Sequence, residues 1–152
     1  MWRFRRALAA ADAARDDASR IAALTRAVAE YRGELCAGLP FDWLEAPASR
    51  LHYQALDALA QLADLHGEDE PGQAVALLNR SLELDPYQEG TYQHLMRVHA
   101  AAGHPDAVHR TYSRLRRYLT EMRETPTPAT VALLARLTRP PHDGPASRAP
   151  RP

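Results

Sequence analysis

Apolar residues recur at steps of three and four along most of this chain, which is the spacing of one face of an α-helix. Val108, Tyr112, Leu115 and Leu119 form one such stripe, with polar residues between them. Strict alternation of apolar and polar residues, which marks a strand, is nowhere sustained. The pattern predicts an all-α fold of about seven helices, near 3–15, 17–31, 47–66, 71–84, 86–102, 105–122 and 128–138.

Glycine and proline mark most of the predicted helix ends. Gly67 and Gly103 fall just past helical patterns, where glycine is common. Residues 32–46 form the longest stretch without a helical pattern, and Asp42 is expected to cap a short turn there. Prolines are expected in the first turns of five helices, where their missing N–H costs no hydrogen bond: Pro47, Pro71, Pro86, Pro105 and Pro128.

Two parts of the chain repeat each other. The helix at 47–66 aligns with the one at 86–102 at an offset of 36 residues, and the two following helices align at 34. A period of about 34 residues, with bulky, small and glycine positions in this order, is typical of tetratricopeptide repeats. Because one such unit cannot bury its apolar face alone, the remaining helices should complete the stack. We expect a right-handed, tetratricopeptide-like array of antiparallel helix hairpins.

The end of the chain differs in composition. Residues 139–152 hold five of the twelve prolines and almost no large apolar residue. Such a segment cannot bury enough apolar surface to offset the entropy lost on ordering. The sequence therefore predicts a folded domain over 1–138 and a disordered tail or linker over 139–152.

A set of landmark residues is spread over about residues 20 to 138. The landmarks are Tyr31-Arg32-Gly33, Trp43 and Arg50 ahead of a long helix, then Asp85-Pro86 with Glu89, Leu95-Met96, Gly103, Tyr112 with Leu115-Arg116 and Leu119, and Pro126 before the last helix. In order and spacing they resemble the bacterial transcriptional activator domain, the tetratricopeptide-like helical domain of actinobacterial antibiotic-regulatory (SARP-type) transcriptional regulators.

The resemblance implies a regulatory module that works by protein interaction and oligomerisation. In the antibiotic-regulatory members a winged-helix DNA-binding domain precedes this module. Here the first helix is already similar to the family's helical domain, so we expect this chain to lack the winged-helix domain. It is expected to be either a fragment of a longer regulator or a freestanding module.

Composition narrows the function classes. The chain has 19 basic and 19 acidic residues, so no net charge favours a polyanion. Cys36 is the only cysteine, which excludes an internal disulfide and a cysteine-based zinc cluster and fits a reducing compartment. No run of about 18 apolar residues exists, so no membrane span is predicted. We expect a cytoplasmic protein without a cofactor.

Seven histidines raise the question of a metal site. His94 and His99, like His104 and His109, are five residues apart, which is about 140° around a helix, so neither pair shares a face. No HExxH, GxSxG or glycine-rich phosphate motif occurs. His99 stands at an aromatic position of the repeat and is interpreted as a packed core residue. No catalytic residue or metal ligand is predicted, and the protein is not expected to be an enzyme.

The segment LELDPYQEGTYQHLMRVHAAAGH, residues 82–104, has the composition of an acid/base site. Its residues are better explained as a structural joint. Asp85 is expected to cap the helix that Pro86 opens, with Gln88 in its third position and Glu89 in its positive first turn.

Two surfaces are candidate binding sites, and an ordinary solvated surface is the alternative for each. Arg110, Arg114 and Arg117 form a possible basic ridge that would bind an acidic protein or phosphate, the latter without sequence specificity. The first helices of a tetratricopeptide array line its concave face, and the repeat places polar, flexible side chains in such a partner groove: Gln54, Asp57, Gln61, Gln93 and Arg97.

The resulting hypothesis is a non-catalytic interaction or oligomerisation module of a bacterial transcriptional regulator. Its partner would be a regulatory protein, a neighbouring domain or a second copy, with DNA reached only indirectly or through a missing domain, and no membrane. One alternative is a tetratricopeptide adaptor or scaffold unconnected to transcription. Another is direct nucleic-acid binding through the arginine ridge.

Overall fold

Seven α-helices follow one another in the computed structural model, which describes residues 2–31, 42–67 and 69–139, without the side chains of 42–46. No strand occurs within these ranges, and the predicted all-α, tetratricopeptide-like array is confirmed. In chain order the helices are α1 (Trp2–Asp12), α2 (Asp17–Glu30), α3 (Asp42–His66), α4 (Pro71–Leu84), α5 (Glu89–Ala101), α6 (Pro105–Glu121) and α7 (Pro128–Leu137).

Four of the predicted helices, α2, α4, α6 and α7, begin at the expected residue and end at or one residue before the predicted end. Helix α1 ends at Asp12, earlier than predicted, because the next helix has its own N-terminal cap. The carboxylate of Asp16 accepts hydrogen bonds from the backbone N–H of Ser19 at 2.7 Å and from its hydroxyl at 3.0 Å. These bonds satisfy an amide that the helix itself leaves free.

The expected short turn at Asp42 is wrong. Helix α3 begins at Asp42 and runs without interruption to His66, so Pro47 lies inside the helix rather than at its start. Proline lacks only one donor and fits the helical φ, so one early proline does not end a long helix that is packed on its neighbours. The rest of the predicted irregular stretch, 32–41, lies outside the described residues, as does the predicted tail over 140–152.

The expected cap of α5 is also wrong. This helix begins at Glu89, three residues after Pro86, and Gln88 precedes it. Asp85 instead ends α4, where its N–H donates to Ser81 at 2.9 Å, and its carboxylate accepts from the backbone N–H of Tyr87 at 3.1 Å. A short acidic side chain that bonds two residues onward stabilises a turn rather than a helix. Glu89 does lie in the first turn of α5, as predicted.

The two predicted repeat units have the same glycine conformation after their first helices and the same proline start to their second helices. Gly67 after α3 and Gly103 after α5 both have positive φ, 45° and 73°, which glycine adopts at low cost. Pro71 and Pro105 are the first residues of the helices that follow. Helix α3 packs on α4 and α5 on α6, and α4 joins the two pairs by packing on α5. Helices α1 and α2 cover one end, and α7 covers the other by packing on α5 and α6.

Tyr92 lies at the centre of the core formed by the second pair. Its ring is fully buried among Leu78, Leu82, Leu95 and Leu115. Its hydroxyl donates to the carbonyl of Pro86 at 2.9 Å, so the one polar atom of the side chain has a partner. Burial raises the pKa of Tyr92 to about 12, and the phenol therefore remains protonated and able to donate at all physiological pH values.

A hydrogen-bond network joins α7 to α5. One carboxylate oxygen of Glu89 accepts from the backbone N–H of Thr127 at 2.9 Å and from its hydroxyl at 2.8 Å. The hydroxyl of the fully buried Thr130 accepts from the amide of Gln93 at 2.7 Å. Partial burial acts to raise the pKa of Glu89, but the hydrogen bonds from Thr130 and Thr127 outweigh it, so the pKa is lower than the ordinary 4.5.

Replacing Glu89 by glutamine should destabilise the domain by about 1 kcal/mol at neutral pH, because the hydrogen bonds from Thr127 lose their charged acceptor. The folded-state pKa is lowered, so this stabilisation is present above about pH 4.5 and is lost as the pH falls through the lower folded-state value. Urea unfolding of both proteins across this range measures the difference. A difference that stays constant from pH 7 to pH 3 would contradict the role of the carboxylate.

Replacing Gly67 or Gly103 by alanine should each destabilise the domain by about 1 kcal/mol, because a side chain is strained at positive φ. The loss should be larger at Gly67, where a Cβ would lie 3.1 Å from the carbonyl oxygen of Asp64. Gly72 is a control within helix α4, since an added Cβ there meets no atom within 4 Å. Gly72→Ala should stabilise by about 0.5 kcal/mol in the same urea titrations. Equal effects at all three positions would refute the assigned turn geometry.

Candidate functional site

An open groove lies where the C-terminal half of α3 faces α5. Its volume is about 510 Å³, within the range of protein ligand sites. Gly67, which follows α3, and Pro71, which begins α4, also border the groove. It is lined by Ala63, Asp64, Gly67, Pro71, Gly90, His94, Arg97, Val98, Ala101 and Ala102. We call this the α3/α5 groove.

Helix α5 contributes one continuous face to the groove. Gly90, His94, Arg97 and Ala101 are spaced by three or four residues and therefore lie along the same side of the helix. Two of these four residues have no side chain beyond a methyl group. An added Cβ at Gly90 would meet no atom within 4 Å, so the space beside it is open. This face of α5 is consequently wide enough for the backbone of another chain to approach closely.

The charged groups of the groove differ in whether they have a partner. Nε2 of His94 lies 2.9 Å from a carboxylate oxygen of Asp64, which links α5 to α3 across the groove. The imidazole is one-fifth exposed and the carboxylate 70% exposed, so the pair is open to solvent mainly on its acidic side. Arg97 is exposed and has no carboxylate within 4.0 Å in the described part of the chain. The groove thus has one paired acid and one cation without a partner.

The partner-groove residues predicted from sequence do not all lie in the α3/α5 groove. Arg97 lines the groove. Gln61 is exposed on α3 and donates to Asp57 at 2.7 Å, closer to the helix start than the groove. Oε1 of Gln54 is buried and has no hydrogen-bond partner among the described residues. Gln93 points to α7, where its amide bonds Thr130.

Sequence reasoning missed Asp64, His94 and Gly90. The groove residues predicted from the repeat are those with polar, flexible side chains, and glycine has no side chain. His94 precedes Arg97 by three residues, a spacing that places the two side chains on one helical face and that could have indicated the histidine. The position of Asp64 opposite His94 depends on how the two helices pack, which no local spacing encodes.

The three arginines of the predicted basic ridge do not form one exposed row. Arg110 and Arg117 are exposed, and Arg117 lies 5.6 Å from the centre of the Tyr118 ring. Arg114 is half-buried. Its guanidinium donates to Oδ1 of Asn79 at 3.0 Å and lies 5.9 Å from the centre of the Tyr92 ring. Arg114 therefore joins α6 to α4 and covers the core tyrosine.

In the described ranges no group of three or more histidine, cysteine, aspartate or glutamate side chains is placed to hold a metal ion. His99 is half-buried, and burial, followed by the nearby His104 and Arg110, lowers its pKa. His99 is thus partly buried and does not belong to the buried core that the sequence analysis assigned it to. Among the helices that the structure describes, none is both long and apolar enough to cross a bilayer.

Comparison with known proteins identifies one family. A family model described as the bacterial transcriptional activator domain matches residues 1–138, which is most of the chain. No curated protein and no solved structure matches the sequence. The family resemblance inferred from the landmark residues is thereby confirmed.

Replacing Arg114 by alanine should destabilise the domain by about 1 kcal/mol, because the bond to Asn79 and the contact with the Tyr92 ring are both lost. The same replacement at Arg110 or Arg116, which are exposed on the same helix, should change the free energy of unfolding by less than about 0.5 kcal/mol. Thermal and urea unfolding measure all three. Similar losses at the three positions would contradict the structural role of Arg114.

Proposed function

We propose that this chain, which belongs to the bacterial transcriptional activator domain family, serves as a non-catalytic protein-interaction module of a transcriptional regulator and binds a partner in the α3/α5 groove. Members of this family are domains of transcription regulators, and family membership supports this part of the proposed function. The groove as the binding site, and a protein as its occupant, are the proposal.

The observation that carries the proposal is the open face of α5. Tyr92, Leu95 and Met96 of this helix are buried, and α4, α6 and α7 pack on it. Gly90, Arg97 and Ala101 are exposed. Half of the residues that line the groove are glycine or alanine. A polypeptide backbone can therefore lie close to the helix, and the side chains of the polypeptide gain contact area there. A partner in extended or helical form can be bound in such a groove between two helices.

Direct nucleic-acid binding through the arginine ridge is a weaker candidate. Arg114 is engaged within the fold, and the exposed Arg110 and Arg117 supply only two of the three proposed phosphate contacts. Each phosphate contact adds a salt-dependent increment of affinity, so two contacts on a chain without net charge contribute little. A scaffold role outside transcription would use the same groove. Measuring transcripts after the groove is filled distinguishes that role from the proposed one.

The proposal extends to the organisation and location of the chain. Residues 1–138 are taken as the functional unit, with 139–152 as a tail or linker, and the module acts in the cytoplasm. A winged-helix domain that binds the promoter would be supplied outside this sequence, and the groove would bind a neighbouring domain, a regulatory protein or a second copy.

The test is to fill the groove without disturbing the fold. Gly90 is the second residue of α5 and accepts a Cβ without contact, so Gly90→Leu should fold normally and project its side chain into the groove. In the native host, transcripts that change on deletion of the gene should fail to recover when the gene is restored with this variant. RNA sequencing measures the recovery.

Gly72→Leu is the matched control. Gly72 is likewise the second residue of its helix, is exposed, meets nothing within 4 Å of an added Cβ, and does not line the groove. This variant should restore the transcripts as the unmodified gene does, with equal protein levels. Full recovery with both variants would refute the groove as the functional surface.

A further inference from the structure

Among the described residues that line the α3/α5 groove, Arg97 is the charged one that has no partner in the described part of the fold. Other arginines have structural roles: Arg80 donates to the backbone carbonyls of Val28 at 2.8 Å and Tyr31 at 3.2 Å, and Arg114 bonds Asn79. Arg97 has no hydrogen bond, ion pair or ring contact to another described residue. Several exposed arginines on α1 and α6 share this property, but only Arg97 lines the groove.

The acid of the groove does not neutralise this cation. A carboxylate oxygen of Asp64 is held 2.9 Å from Nε2 of His94, one turn before Arg97 along α5. That contact ties the two walls of the groove together, so Asp64 is not free to move to the guanidinium without breaking it. Arg97 therefore keeps its capacity to bind a carboxylate that comes from outside the chain.

The surroundings of Arg97 suit a polypeptide rather than a bulky ligand. Ala101 lies one turn after Arg97 on the same face, and Gly90 lies two turns before it. Val98, half-buried next to Arg97 in the chain, and Pro71 at the start of α4 also line the groove and provide apolar contact. Backbone atoms can approach this row of small residues, while a side chain of moderate length reaches the guanidinium.

We propose that Arg97 binds the carboxylate of an aspartate or glutamate in an acidic segment of a protein partner that lies in the α3/α5 groove. The guanidinium presents two parallel N–H donors that match the two oxygens of a carboxylate, a geometry that lysine lacks. Because Arg97 is exposed, the pair contributes modestly and is weakened by salt. The inference rests on the proposed function and specifies the chemistry of its occupant.

The test uses three synthetic peptides that differ only in a central glutamate, glutamine or lysine, with alanine, glycine and serine on both sides and blocked ends. Each is titrated into the isotope-labelled full chain, and the amide signals of Gly90, Arg97 and Ala101 are followed by NMR. The glutamate peptide should bind about threefold more tightly than the glutamine peptide, and the lysine peptide should bind more weakly still. The preference should decrease at high salt.

Substitutions that remove or reverse the charge of Arg97 test whether its guanidinium is the group that binds the peptide carboxylate. Arg97→Gln should lower the affinity for the glutamate peptide to that of the glutamine peptide. Arg97→Glu should reverse the order, so that the lysine peptide binds best. Arg116→Glu makes the same change of charge on the exposed face of α6, outside the groove, and should leave the order of the three peptides unchanged.

The results separate this inference from the proposed function. Equal binding of the three peptides, or a glutamate preference that persists in Arg97→Gln, would overturn the inference. If Gly90→Leu also abolished that equal binding, the groove would still stand as a peptide site. Should no peptide shift the three amide signals, the inference would be overturned, while transcript recovery by the two leucine variants would decide the proposed function independently.

Discussion

The packing of helix α5 is the constraint on which the rest of the structure depends. Its apolar residues Tyr92, Leu95 and Met96 are buried, and α4, α6 and α7 all pack against it. A fully buried tyrosine in the interior fixes how these helices approach, since its ring fills a large volume and its hydroxyl must reach the carbonyl of Pro86. Three sides of α5 are thereby covered. The fourth side remains open and forms a wall of the α3/α5 groove.

Polar contacts then fix the elements that surround this helix. Glu89 holds the start of α7, Gln93 bonds a buried threonine of α7, and Arg114 joins α6 to α4 over the tyrosine ring. Each of these side chains looks like a candidate for binding or chemistry when it is seen in the sequence alone. Their partners lie about 35 residues away or more, so the structural role of each depends on tertiary packing.

How much was predictable follows from the range of the interactions. The helices and the repeat were predictable because apolar spacing, proline and glycine act over a few residues, and four helices begin where the pattern indicates. The starts of α3 and α5 were not. At α3 the proline indicates a helix start, but the helix continues on both sides of Pro47. At Asp85 two local hydrogen-bonding arrangements compete, and the turn at Tyr87 is adopted.

The groove was predictable only in part, for a related reason. Arg97 was identified because it is long, polar and on the first helix of a unit, whereas Gln93 meets the same description and bonds Thr130 inside the array. The spacing of residues in the sequence does not distinguish Gln93 from Arg97, because they lie four positions apart and nearly on the same side of α5. What separates them is α7, which covers the helix at Gln93 and leaves it uncovered at Arg97.

Glycine alone does not distinguish the proposed binding face of α5 either. Gly72 and Gly90 both stand at the second position of a helix, and at both a side chain would meet empty space, so each gives up stability that alanine would supply. Only Gly90 borders a groove with a tethered acid and a cation without a partner. The combination of open space, a fixed pair and a free charge at one place is what points to an occupant, and none of the three would do so separately.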